Sequence, residues 1–153
     1  MSGSEQQRLI EELDAAARGI DAAIAGLDDE KASRRGAEGW SVKDHLTHLT
    51  FWHEMRYFEV RRIVAGGRAS FPVTSEEGVA AINDQVVANR RQLPFAQAVA
   101  DLAFAREQVK TAVSEARAER LIGGSFEEIG PIGAGHEIDH AGFIEALRKE
   151  QGI

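Results

Sequence analysis

The sequence predicts an all-α fold, an antiparallel four-helix bundle with an extra short helix, and three observations carry that expectation. Apolar residues recur at three- and four-residue steps along nearly the whole chain, as helices that bury one face require. No stretch shows a convincing apolar–polar alternation of period two, which a half-buried strand would need. Turn-forming residues gather at a few points that cut the chain into helix-length pieces. With 153 residues, 43% of them hydrophobic and 28% charged, the chain reads as one domain over residues 1–153, long enough to bury a real core.

Leu9, Leu13, Ala16, Ile20, Ile24 and Leu27 form the first apolar stripe, which Asp28-Asp29 and the polar stretch to Gly39 bring to an end. Ser41 followed by Asp44 matches a capping box, in which two side chains each satisfy the other's backbone N–H at a helix start. The second helix runs through Leu46, Leu49, Trp52, Met55, Phe58 and Ile63 to a stop at Gly66-Gly67. After a loop containing Pro72, Ser75 with Glu76 and Glu77 opens a third helix over 76–92, the acids suiting the positive end of its dipole. Its apolar side holds Val79, Ile82, Val86 and Leu93. Pro94 fits the first position of a fourth helix, where a missing N–H costs nothing. Leu102, Ala105, Val109, Ala112 and Val113 give that helix its stripe, and Gly123-Gly124 end it. The linker GGSFEEIGPIGAG then delivers the chain to a last helix that carries His136 and His140.

Composition removes several chemistries. The chain has no cysteine, so disulfides, a thiolate nucleophile and cysteine-based zinc sites are excluded, and a reducing cytoplasm is the expected location. The formal net charge is −7 and the basic residues are spread out, the pairs at Arg34, Arg61 and Arg90 standing apart. No cationic stripe offers itself to phosphates, so no nucleic-acid partner is expected. The acidic start MSGSEQQRLIEELD is unlike a signal peptide, and no apolar run approaches the length of about 20 residues that spans a bilayer, so no membrane partner is expected either.

Function is best argued from the five histidines, which fall in two short segments. His136 and His140, one turn apart, lie one above the other on a helix face and can grip a metal ion from the same side. A third ligand must come from elsewhere, and the remaining histidines, His45, His48 and His53, all lie in the second helix. Two half-exposed helix histidines are the plain alternative for an HxxxH pair; the remote histidine helix weighs against it. His45 and His48 roughly share a face, whereas His53 points about 140° away from His48 at 100° per residue. His48, beside the stripe of Leu46, Leu49 and Met55, is the preferred third ligand and His45 the next. Whether His45 or His53 replaces or supplements His48 stays open. Trp52 is a candidate aromatic wall, although core packing is its plainer role, and Trp40 is expected to anchor the loop before the second helix. Asn83 leads Gln85, Asn89 and Arg90 as a polar group at a substrate mouth. Glu137 and Asp139 read as solvated helix charges that point away from the ligand face.

The stretches GWSVKDHLTHLTFWHE, INDQVVANRRQLPF and HEIDHAGFIEALR, taken together and in that order, resemble the DinB-like superfamily of small metal-binding four-helix bundles. The resemblance spans nearly the whole chain. In that family a Trp-(Ser/Thr)-(Val/Ile) opening precedes a ligand histidine eight residues after the Trp, here His48, and a closing His-x3-His supplies two more, here His136 and His140. The DHLxHLxxW run is most similar to the ClbS/DfsB-like branch. Relatives of this kind include transferases and isomerases that use a low-molecular-weight thiol, and a colibactin-resistance hydrolase, so the resemblance implies fold and metal site more firmly than reaction.

The function expected is therefore a divalent-metal-dependent enzyme, performing thiol transfer or hydrolysis on a small electrophilic molecule through a three-histidine site with an open coordination position. Zinc is the first choice of ion, with nickel or iron as alternatives, and an external low-molecular-weight thiol is the second cofactor to consider. No residue is assigned as catalytic. The competing readings are a non-catalytic bundle that binds a small molecule or toxin with a metal anchor, and a structural metal-stabilised dimer. A homodimer is compatible with all three.

Overall fold

The computed structural model describes residues 2–67, 75–116 and 134–153, together with three short strands between the last two segments. The helices are α1 (Ser2–Ile24), α2 (Asp29–Ala32), α3 (Val42–Val64), α4 (Glu76–Arg90), α5 (Phe95–Glu115) and α6 (Ala134–Gln151). The strands, β1 (Leu121–Ile122), β2 (Ser125–Phe126) and β3 (Gly130–Pro131), form a small antiparallel sheet in the order β1-β2-β3. The fold is the expected all-α one, and these two-residue strands are too short to leave an alternating pattern in sequence. The loop with Pro72 and the Gly123-Gly124 stop lie outside the described residues.

Helix starts follow local chemistry. The Ser41 hydroxyl accepts from the Asp44 N–H at 3.1 Å while the Asp44 carboxylate accepts from the Ser41 N–H at 3.0 Å, closing the expected box. Ser75 caps α4 by accepting from Gly78 N–H. Pro94 stands one position earlier than expected, at the N-cap itself. Asp28 caps the four-residue α2, a turn within the stretch that the sequence leaves as polar connection.

The core falls into two apolar clusters. One joins Ile20, Leu46, Leu49, Leu102, Ile144 and Leu147; the other joins Leu9, Leu13, Val60, Ile63, Val109 and Val113. Early residues of α3 and α5 thus share one cluster and late residues share the other, so these two helices run the same way. By the same reasoning α1 is antiparallel to α3, and α6 to α5, which makes α1, α3, α5 and α6 the four-helix bundle. The chain returns from the end of α3 to the start of α5 through α4, which lies against α3 and buries Val87 completely. Along α3 and α5 the buried polar residues His53 and Arg106 fall between the two apolar clusters.

Candidate metal centre

α3 and α6 run antiparallel, so residues stepping forward on one helix meet residues stepping back on the other. His48 Nε2 approaches His136 Nε2 at 2.9 Å, and His45 Nδ1 approaches His140 Nδ1 at 2.9 Å. One nitrogen from each of His48, His136 and His140 lies within 4.8 Å of the others, a spacing that can hold a metal ion. These are the three residues preferred from sequence; His45 stands behind His140 rather than within the trio.

Burial sets the protonation of the cluster. It pushes the His45 imidazole down to about 4, against a smaller opposing pull from Asp44. Burial, reinforced by neighbouring imidazoles, lowers His48 to about 3 and His140 to about 2, and His136 is lowered as well, also chiefly by burial. The trio is therefore neutral at physiological pH and offers lone pairs, the form a divalent ion needs. Its donor chemistry, spacing and origin on two facing helices all fit such an ion.

Trp40 does more than anchor a loop. Its ring centroid is 5.2 Å from that of His45, 5.1 Å from His48 and 6.4 Å from His140. Two glycines stand in the loop that leads to it, and Gly36 donates its N–H to the Trp40 carbonyl at 2.8 Å. Gly39 takes a positive φ of 85°, and Gly36 passes so close to α6 that a Cβ would stand 2.4 Å from Leu147 Cδ1. Trp52 lies 6.4 Å from the His48 ring and donates its Nε1–H to Asn83 Oδ1 at 2.9 Å, and both residues line a cavity with His48. Of the other mouth candidates, Arg90 pairs with Glu54 at 2.7 Å, and Gln85 and Asn89, both exposed, pair with each other.

Two cavities meet at Trp40 and His140. One, of about 580 Å³, is lined among others by Glu38, His45, Phe143 and Leu147. The other, of about 610 Å³, is lined by His48, Trp52, His53, Arg56, Asn83 and His136. Both volumes suit a small organic ligand.

Glu137 requires a correction. It is not a solvated charge but is completely buried, with Oε1 2.5 Å from His53 Nε2 and both oxygens 2.9 Å from the Arg106 guanidinium. Burial by itself would raise its pKa; hydrogen bonds from His53 and Arg106 outweigh that and lower it. Asp139 is exposed, as expected. Glu137 precedes Ala141 and Ile144 at steps of four and three on the buried arc of α6, and Arg106 sits likewise between Leu102 and Val109. That apolar spacing was the signal available for both residues. His53 is itself buried, against Glu137.

The family model described as DinB superfamily matches residues 12–144. Among curated proteins no sequence matches the chain. The crystal structure of the colibactin self-resistance protein ClbS in complex with a dsDNA is similar at a TM-score of 0.80 and 13% identity, over 94% of this chain and 95% of that one. An uncharacterised protein from Escherichia coli UTI89 is similar at a TM-score of 0.78 and 13% identity, over 97% and 95%. The dsDNA complex overturns the expectation that nucleic acid is excluded as a partner. The physical reason is that net charge describes the whole surface, whereas phosphate contacts depend on a local patch, on backbone N–H groups and on helix N-termini. No helix among the described residues is long and apolar enough to cross a membrane.

Proposed function

The chain belongs to the DinB superfamily, and we propose that it is a divalent-metal-dependent enzyme acting on a small electrophilic molecule by thiol transfer or hydrolysis. The observation that carries this reading is the convergence of neutral His48, His136 and His140 where two cavities meet. These three residues would hold the ion, with zinc first in order because imidazole donors and open tetrahedral coordination suit it, and nickel or iron next. Held by neutral ligands, a divalent ion keeps its charge and supplies Lewis acidity, which lowers the pKa of a thiol or water and polarises an electrophile. A purely structural site has its coordination closed by protein, and cavities reaching the cluster from two directions favour the open kind.

The chain's own groups do the rest. His45, in hydrogen-bond contact with His140, fixes the orientation of that ring. Trp40 and Phe143 bind apolar parts of a substrate and exclude water, while Trp52 holds the Asn83 amide at the mouth. Since the sequence has no cysteine, a nucleophilic thiol must be a low-molecular-weight molecule from outside, which the reducing cytoplasm supplies.

The test is turnover of zinc-loaded protein with cysteine as the thiol and chlorodinitrobenzene as the electrophile, where a C–S bond replaces C–Cl and chloride and a proton are released. Acceleration that is lost on chelation and in His48→Ala is expected; equal rates for wild type and His48→Ala, with hydrolysis of activated esters equally unaffected, would overturn the reading. Contact with duplex DNA is a second reading, favoured by the dsDNA complex of the similar structure. A fluorescent duplex titrated at several salt concentrations tests it, because phosphate contacts weaken as salt rises.

A further inference from the structure

We propose that Arg106, Glu137 and His53 form the positioning device of the histidine cluster, a buried clamp that fixes the first turn of α6 relative to α3 and α5. The inference rests on the reading of His48, His136 and His140 as metal ligands. Glu137 is the residue next to His136, and its carboxylate is gripped from two other helices at once. Arg106 of α5 makes a two-pronged ion pair to both oxygens at 2.9 Å, and His53 of α3 reaches Oε1 at 2.5 Å. Their exposures are 6%, 0% and 3% for Arg106, Glu137 and His53, so the clamp is shielded from solvent.

Stability alone does not account for it. A buried ion pair pays heavily in desolvation, and apolar residues of similar size in its place are often neutral or stabilising. What an ion pair adds over apolar packing is direction. Apolar faces tolerate small slips, whereas a two-pronged pair with a third hydrogen bond accepts one angle and one height. That matters here because successive residues on α6 are rotated by about 100°. A small turn of this helix carries His136 and His140 together away from His48. The clamp lies between the two apolar clusters, where apolar packing specifies the register least. His53 and His136 also line the same cavity, so one end of the clamp forms part of the wall beside the ligands.

The experiment compares wild type with the double variant Arg106→Leu/Glu137→Leu, measuring Co²⁺ affinity, the visible spectrum of the bound cobalt and thermal stability. Clamping predicts a double variant that melts close to wild type, binds Co²⁺ about 10–100-fold more weakly and shows an altered cobalt spectrum. A stable double variant with wild-type affinity and spectrum would overturn the clamp while leaving the metal reading intact. A wild type that takes up no cobalt, zinc or nickel overturns the metal reading and the clamp with it. Should the double variant fail to fold, His53→Gln decides: it keeps the Arg106–Glu137 pair, and a several-fold weaker affinity supports the clamp whereas unchanged affinity refutes it.

Discussion

At the scale of single residues, burial decides what the histidines can do. Their ordinary value is 6.5, and the fold holds His45 neutral down to about 4, His48 to about 3 and His140 to about 2. An unfolded chain takes up protons on these rings as pH falls below about 6.5, while the folded one does not. Stability is therefore complete above that pH and is lost progressively toward the folded values. Urea unfolding of metal-free protein from about pH 7 to about pH 5 should show a steeper decline for wild type than for His48→Gln, which has one fewer such group. Equal slopes would contradict the protonation account. The same scale holds the clearest limit of the sequence: His48, His136 and His140 are readable from spacing and motif, but Glu137 is not if each residue is judged against its immediate neighbour. A step of one residue turns a helix by about 100°, which still lies inside a wide buried arc. The partner that makes burial tolerable, Arg106, stands 31 positions away, beyond any local pattern.

At the scale of elements, boundaries written in local chemistry are legible and those set by tertiary context are not. The Ser41–Asp44 box is local, and the structure contains it. Ser41→Ala leaves the Asp44 N–H without its acceptor at the start of the helix that carries His45 and His48, and should lower stability by about 1 kcal/mol in urea unfolding. An unchanged midpoint would mean that the cap is not needed. By contrast, α4 meets its neighbour with Val87 rather than Val86 at the most buried position, and the four residues of α2 are too few to show a period. The tight pass of Gly36 against Leu147, in the loop that leads to Trp40, has no signature in sequence beyond the glycine itself.

At the scale of the whole molecule, the all-α bundle class follows from periodicity, but helix directions do not. That α3 and α5 run the same way depends on the outside path of α4, a matter of packing. Partner exclusion from net charge fails at this scale for a related reason: −7 is an average over the surface, and a partner meets one patch. The arrangement as a whole gives two apolar clusters, a polar layer between them and three neutral imidazoles facing one another across α3 and α6. The central claim is that this trio holds one divalent ion. Elemental mass spectrometry on tag-free wild type and His140→Ala tests it directly: the account predicts about one zinc, nickel or iron ion per wild-type chain and its loss in the variant. A folded wild type that stays empty after equilibration with zinc and with nickel, or a His140→Ala protein that keeps the same metal content, would contradict it.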